Sequence, residues 1–271
     1  MRRIQILGFS SLVVVALLAG CASSGPGGVS SVSLDQEWQL GQQMAAQVAQ
    51  QYRFVNDPAM HSYIQAVGNR IVAQTPLAGR PFEFEIIDDP SVNAFSIPGG
   101  HVYLNSGLIG QANRADMLAG AMAHEISHVV ARHVLKQIQQ QNEINTIGAI
   151  LLGQNPNALT QIVAQVVAGG AMARFSRADE KEADDLGLQY MTAAGYDPHG
   201  MLALFQKLLA LEQGGNSSVA RFFADHPGTQ NRINDISTRI ARMNNPRGLQ
   251  DDPTYDAMQR RYPTTMTSSS H

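Results

Sequence analysis

The pentapeptide His124-Glu125-Ile126-Ser127-His128 constrains this chain more than any other feature of its sequence. Four apolar residues recur around it at intervals of three or four, which is the spacing of one helix face: Met117, Ala121, Ala131 and Leu135. The two histidines share that face, so a helix would bury both imidazoles one turn apart, within reach of a single ion. Glu125 is rotated about 100° from His124 and is predicted to lie beside a water on that ion.

Zinc suits this pattern because it accepts neutral imidazole ligands and keeps one position open for water. A pair of core histidines bonded to backbone carbonyls is the alternative interpretation. A metzincin would have a glycine three residues after His128 and a histidine six residues after it. Ala131 and Val134 occupy those positions, which excludes that class. His133 is about 140° round the same helix and is predicted to face solvent.

A carboxylate from a later helix is the remaining source of a third ligand, and the segment 176–184 offers several. Glu180 shares a predicted helix face with mostly apolar residues: Ala183, Asp184, Gly187, Tyr190 and Met191. Glu182 lies about 200° away and Asp185 about 140° away, with the polar set. A glutamate facing the core needs a cation, so Glu180 is the predicted ligand, and Asp184 is placed to accept the outer N–H of a ligand histidine. The alternative is an exposed Glu180 paired with Arg177.

Short strands precede this region. Residues 82–86 alternate apolar and acidic side chains, and residues 101–104 form a second apolar run, which predicts a small sheet with an edge strand within residues 93–104. An edge strand ending near Leu104 could bind an extended polypeptide by β-addition.

Helices dominate the rest of the domain. Capping signals predict helix starts at Ser33, Asp57 and Asp197, and isoleucines at helical spacing predict a last helix near Arg232. The uncharged run 144–173 is broken at 154–157, which favours a buried or partner-facing helical hairpin over a membrane span.

The N-terminus predicts export. Arg2 and Arg3 precede a short apolar run, and Cys21 follows Leu18-Ala19-Gly20 in a stretch that resembles a bacterial lipobox. The predicted organisation is therefore a lipoprotein signal peptide at 1–20, an acylated Cys21 with a flexible tether at 21–33, a domain at 34–245 and a polar tail at 246–271. Cys21 is the only cysteine of the 271 residues, which excludes an internal disulfide. With 19 basic against 22 acidic residues, the chain also lacks the positive field of a nucleic-acid binder.

The combination of these motifs resembles a known family. His-Glu-Ile-Ser-His followed by the Ser176-Arg177 segment with Glu180, Glu182 and Asp184 is similar to the HtpX-like and CAAX-prenyl-protease-like zinc metallopeptidases, a gluzincin family, and to their bacterial periplasmic lipoprotein members. Further segments match: Asn93-Ala94-Phe95, Pro98-Gly99-Gly100, and Asp225-His226-Pro227 with Arg232. The resemblance spans residues 33–243.

The resemblance implies a mainly helical α+β, zincin-like domain with one zinc ion. It implies His124, His128 and Glu180 as ligands and Glu125 as general base and acid. Asp184 would accept the outer N–H of a ligand histidine. His226, with Arg232, would be a latch on the metal or an oxyanion stabiliser. Four residues are expected to form the substrate edge strand beside the cleft: Asn93, His101, Val102 and Tyr103.

The expected function is zinc-dependent hydrolysis of unfolded or misassembled envelope proteins. The expected location is the periplasmic face of the outer membrane, with the outer-membrane assembly machinery as partner. A non-catalytic, lipid-anchored chaperone or assembly factor is the alternative, and a structural lipoprotein without metal is the third.

Overall fold

The computed structural model of the chain describes residues 32–141, 144–167, 174–227, 229–243 and 246–262. The predicted signal peptide, Cys21 and residues 263–271 of the predicted tail lie outside these described ranges. Within them the chain is mainly helical with a small sheet, which confirms the predicted fold class.

The helices are numbered α1 to α12 in chain order. Their bounds are α1 (Leu34–Gln51), α2 (Pro58–Val72), α3 (Ser106–Gln111), α4 (Ala115–Val130), α5 (His133–Gln141), α6 (Ile144–Leu151), α7 (Pro156–Val167), α8 (Arg177–Ala193), α9 (His199–Gln213), α10 (Ala220–Asp225), α11 (Thr229–Arg242) and α12 (Pro253–Gln259). Ser33 and Asp57 cap α1 and α2 as predicted: Ser33 forms a capping box with Gln36, and the Asp57 carboxylate accepts the backbone N–H of Met60 at 3.1 Å.

The sheet has three strands, β1 (Glu83–Ile87), β2 (Ala94–Ile97) and β3 (His101–Asn105), in the order β1-β3-β2. β1 is parallel to β3, and β2 is antiparallel to β3. The prediction that β3 is the edge strand is therefore wrong, because the main chain of His101, Val102 and Tyr103 is paired on both sides. β1 and β2 are the two edge strands, and β2 lies inside the region 93–104 where an edge strand was predicted. Hydrophobic alternation identifies strands but carries no information on their order, and the tight turn at Gly99 and Gly100, with φ of 82° and 83°, folds β3 back between its neighbours.

Helix α4 lies at the centre of the fold and packs against α8 and α9. Glycines allow this close approach. A Cβ on Gly120 would lie 2.7 Å from Met201 Cα of α9, and one on Gly187 of α8 would lie 3.3 Å from the Ala123 carbonyl of α4. The backbones of the central helices are therefore held closer than larger residues would permit.

The helix that carries the two histidines ends earlier than the sequence predicts. α4 stops at Val130, Arg132 adopts a left-handed φ of 59°, and α5 begins at His133. A non-glycine residue in this conformation costs about 1–3 kcal/mol and persists only where its surroundings hold it. Here Arg132 Nε donates to Glu37 at 2.6 Å and Nη2 donates to the Val32 carbonyl at 2.7 Å, which ties the turn to α1.

The uncharged segment forms the predicted helical hairpin over its described part. Buried residues of α6 and α7, including Ile147, Ile150 and Ile162, belong to the same apolar cluster as Leu40 and Met44 of α1. Among the described residues, no helix combines the length and the apolarity needed to cross a bilayer. Residues 168–173 of this segment lie outside the described ranges.

The predicted domain boundary at residue 245 is wrong. Residues 253–259 form α12, which packs on α2, and Tyr255 is fully buried with its hydroxyl donating to the Ala112 carbonyl at 2.5 Å. Tyr262 also belongs to the main core. The polar composition after Pro246 obscured these few buried aromatic residues, so the domain extends at least to Tyr262.

Candidate metal site

Two helices bring the predicted ligands together. α4 carries His124 and His128, and α8 presents Glu180 in its first turn, directly after a capping box formed by Ser176 and Asp179. The Nε2 atoms of the two histidines lie 3.0 Å apart, and each lies 3.5 Å from a Glu180 oxygen. Glu180 is 0% exposed, which excludes the alternative of a surface carboxylate.

A fourth side chain, His226 from the end of α10, completes the cluster. Its Nδ1 lies 3.0 Å from Glu180 Oε1 and 3.3 Å from His124 Nε2. One ligand atom from each of these four residues lies within 4.8 Å of the other three, and all four residues are buried. Three imidazoles and one carboxylate around one point form the donor set that zinc prefers.

The hydrogen bonding of the cluster also fits a cation. Two Nε2 atoms 3.0 Å apart cannot both carry a proton, so at least one directs a bare lone pair into the cluster. Glu180 Oε2 forms an ion pair with Arg232 but has no hydrogen-bond geometry with any described residue. A buried carboxylate oxygen and a buried imidazole nitrogen that both lack a proton are expected where a metal binds.

The imidazole of His124 is held by a charged pair. Its Nδ1 lies 3.0 Å from Asp184 Oδ1. Arg232 donates two hydrogen bonds to the same carboxylate, from Nε and Nη2, each at 2.8 Å. Burial raises the pKa of Asp184, but the Arg232 guanidinium and the His124 imidazole together lower it below its usual value. An ionised Asp184 accepts the Nδ1 proton of His124 and leaves Nε2 free for a metal.

The imidazole of His128 has different neighbours. Its Nδ1 lies 3.0 Å from His133 Nδ1, and His133 Nε2 lies 3.2 Å from Glu182 Oε2. The prediction that His133 faces solvent is wrong: it is 1% exposed. The prediction treats the chain on both sides of Arg132 as one continuous helix. The left-handed turn at Arg132 instead ends α4 and directs the start of α5 toward the cluster. Glu182 stays outside the cluster, as its helix phase predicted.

Opposing effects set the charges inside the cluster. Burial raises the pKa of Glu180, but His226, Arg232 and His124 together lower it well below its usual value. Burial lowers the pKa of His226, yet the charges of Glu180 and Glu125 raise it to about 9. Without a metal, a protonated His226 therefore neutralises part of the buried negative charge.

Glu125 lies next to the cluster and outside its ligand set. It is buried, its Oε2 accepts a hydrogen bond from Ser96 Oγ at 3.2 Å, and its Oε1 lies 3.5 Å from His226 Nε2. Ser96 belongs to β2, so the edge strand borders the site. Two residues at the site were not predicted from the sequence: Ser96, and Phe175, whose ring stacks on that of His128 with centroids 3.9 Å apart. Neither residue lies in a catalytic motif. Their only indication in the sequence is that Ser96 and Phe175 directly neighbour segments that match the family.

The residues predicted to bind substrate are only partly brought to the site. Asn93 directly precedes β2, and its Nδ2 donates to Asp225 Oδ2 at 2.9 Å, beside His226. His101, Val102 and Tyr103 lie in the central strand. His101 pairs with Glu83 at 3.3 Å, and Tyr103 stacks on Phe95 with centroids 4.9 Å apart.

Comparison with known proteins agrees with this geometry. Residues 58–240 match peptidase family M48. The chain belongs to this family. Members of this family use zinc, and the buried cluster of His124, His128, Glu180 and His226 is able to bind a metal ion.

Several curated M48 relatives are similar over most of the chain. The beta-barrel assembly-enhancing protease of Escherichia coli (strain K12) is 33% identical over 224 residues, which cover 79% of this chain and 46% of the relative. The putative beta-barrel assembly-enhancing protease of Vibrio cholerae is 33% identical over 78% of this chain and 45% of its own length. The mitochondrial metalloendopeptidase OMA1 of Schizosaccharomyces pombe is 31% identical, with 76% and 62% covered. The chain thus spans about half the length of the first two relatives.

Proposed function

We propose that this chain is a zinc-dependent metalloendopeptidase that hydrolyses unfolded or misassembled proteins of the bacterial envelope. One observation carries the proposal: Glu180 is fully buried and lies 3.5 Å from the Nε2 atoms of both His124 and His128. The Glu180 carboxylate is charge-paired with Arg232 and lies beside the two imidazole nitrogens, and this buried set of nitrogen and oxygen donors suits a zinc ion.

In the proposed reaction His124, His128 and Glu180 hold the zinc ion, which when bound supplies Lewis acidity for the attacking water and the scissile carbonyl. Glu125 takes the proton of the attacking water at a carboxylate oxygen and delivers it to the leaving amine nitrogen. Ser96 orients Glu125 by donating to its Oε2, and burial excludes bulk water from the exchange.

The edge strand β2 is the proposed binding site for substrate. It has a neighbour on one side only, so the main chain of an extended polypeptide can pair with its other side, starting near Asn93. Pairing through main-chain groups selects weakly for sequence and suits unfolded chains. The proposed substrate strand is therefore β2 rather than β3.

The compartment of the substrate comes from the sequence and from the relatives. The lipobox-like stretch at Cys21 supports acylation and attachment to the periplasmic face of the outer membrane. Two relatives are named beta-barrel assembly-enhancing proteases, which supports envelope proteins as substrates and the outer-membrane assembly machinery as partner.

His226 is proposed to restrain the enzyme as a latch. Its imidazole contacts both Glu180 and Glu125, so it occupies the space that a scissile carbonyl and a water need. A latch predicts that His226→Ala cleaves faster than the parent. An oxyanion stabiliser, together with Arg232, predicts slower cleavage by the same variant.

The proposed function is tested by measuring cleavage of an unfolded protein together with zinc content. Glu125→Gln is expected to keep zinc and the fold but to lose activity by at least about two orders of magnitude, because it cannot take a proton. Glu180→Gln is expected to lose zinc, whereas Glu182→Gln, which keeps an oxygen to accept from His133, is expected to bind zinc within about threefold of the parent. A chelator should abolish cleavage by the parent.

Near-parental turnover by Glu125→Gln would disprove the proposed role of this residue. Equal zinc content in Glu180→Gln and Glu182→Gln would disprove the ligand assignment. A zinc-loaded chain whose His226→Ala variant also cleaves nothing, but which prevents aggregation of envelope proteins, would support the non-catalytic chaperone instead.

A further inference from the structure

The zinc-facing histidine His128 has an unusual neighbour behind it. A ligand imidazole that binds a metal through one nitrogen carries its proton on the other, and that proton needs an acceptor. The Nδ1 of His128 points away from the cluster, and the atom facing it at 3.0 Å is Nδ1 of His133, an uncharged ring rather than a carboxylate. His133 therefore decides whether this proton has an acceptor.

When His128 binds a metal through Nε2 and carries its proton on Nδ1, only one tautomer of a neutral His133 ring satisfies the atoms around it. If His133 carried its proton on Nδ1, two N–H groups would face each other, and its bare Nε2 would face two carboxylates. These are Glu182 Oε2 at 3.2 Å and Asp179 Oδ1 at 3.5 Å. With the proton on Nε2, every contact becomes favourable: His128 donates to His133, and His133 donates to Glu182.

The fold holds His133 in this position. The left-handed turn at Arg132 separates α5 from α4 and directs His133 back toward the preceding helix. Phe175 packs against both imidazoles, with ring centroids 3.9 Å from that of His128 and 6.1 Å from that of His133. The half-exposed Glu182 ends the chain of hydrogen bonds at the surface.

We propose that His133 is a positioning residue for the zinc site: it accepts the Nδ1 proton of His128 and, through Glu182, fixes the tautomer that leaves His128 Nε2 free for the metal. The proposal rests on the proposed zinc site. His133 itself stays outside the ligand set, because both of its ring nitrogens are used by His128 and Glu182.

Zinc affinity of the full chain, measured by competition with a chelator at fixed pH, tests this role. His133→Leu removes the acceptor and is expected to weaken zinc binding by about 10–100-fold. His133→Asn places an amide oxygen near the position of Nδ1 and is expected to stay within about threefold of the parent, because it restores one hydrogen bond. The matched control is His61→Leu, which removes a half-exposed imidazole paired with Glu85 and is expected to change nothing.

A second measurement does not depend on any variant. In the zinc-loaded parent with ¹⁵N-labelled histidine, NMR should find a proton on Nδ1 of His128 and none on Nδ1 of His133. Thermal unfolding of the zinc-free variants separates a loss of fold from a loss of metal.

Three results would overturn the proposal: zinc affinity of His133→Leu equal to that of the parent, a His133→Asn variant as weak as His133→Leu, or a His128 Nδ1 without a proton. A parent that binds zinc but cleaves no protein would refute the proposed function and leave this role of His133 intact.

Discussion

The two histidines of α4 face the same point but differ in what stands behind them. Behind His124 lies a buried ion pair of Asp184 and Arg232 with two hydrogen bonds of 2.8 Å. Behind His128 lies the neutral ring of His133, which leads to a carboxylate whose side chain is 53% exposed. On the His124 side the acceptor is buried and charged. On the His128 side the chain of hydrogen bonds contains no buried charge and ends at the surface.

Both histidines need an acceptor for an imidazole proton, and the fold supplies that acceptor in two ways with different energetic costs. A buried charge is a strong acceptor, but it must itself be neutralised, and Arg232 serves both Asp184 and Glu180. The His133 ring, which passes the hydrogen bond on to Glu182, is a weaker acceptor than a carboxylate. It leaves no buried charge that another group must neutralise. We expect substitutions on the charged side to affect stability and metal binding, and substitutions on the neutral side to affect mainly metal binding.

The largest expected effect comes from removing the cation on the charged side. Arg232→Met leaves two buried carboxylates without their guanidinium and is expected to lower the free energy of unfolding of the zinc-free protein by about 3–5 kcal/mol. Arg239→Met on the same helix is the matched control. Arg239 pairs with the partly exposed Asp185, and its loss is expected to cost less than about 1 kcal/mol. Urea denaturation measures both, and equal losses would remove the distinction between the two sides.

A smaller effect is expected when only the acceptor charge changes. Asp184→Asn keeps an oxygen for His124 but loses the negative charge, and we expect zinc affinity to fall by about 10–100-fold. Glu182→Gln makes the same chemical change on the neutral side, where solvent screens the carboxylate, and should stay within about threefold. The measurement is chelator competition on both purified variants. Similar losses would show that the two acceptors act alike.

A third expected effect, confined to the pH dependence of stability, concerns the turn at Arg132 that directs His133 toward the cluster. Burial raises the pKa of Glu37 from 4.5 to about 7 despite the opposing charge of Arg132. Between these values the folded chain holds more protons than the unfolded chain, so this residue makes the free energy of unfolding fall as pH rises from 4.5 to about 7.

Glu37→Gln is expected to remove that contribution, by up to about 1.4 kcal/mol per pH unit, because its side chain does not titrate. Urea denaturation of the zinc-free parent and variant at several pH values in this window gives the two slopes. Identical slopes would contradict the raised pKa of Glu37.

Much of the site could be predicted because it depends on helix periodicity. The spacing of His124 and His128 placed both imidazoles on one face, and the apolar neighbours of Glu180 pointed it toward the core. Where periodicity was interrupted, prediction failed. The turn at Arg132 has no proline or glycine to mark it, and the bonds to Glu37 and Val32 that stabilise it come from residues about one hundred positions earlier.

The sequence by itself determined which side chains can bind a metal, since ligand chemistry and helical spacing are local properties. Only the tertiary structure decided that β3 is the central strand, that α12 completes the core, and that His133 stands behind His128. Each of these depends on contacts between segments far apart in the chain, and such contacts are selected by the packing of the whole domain rather than by any local pattern.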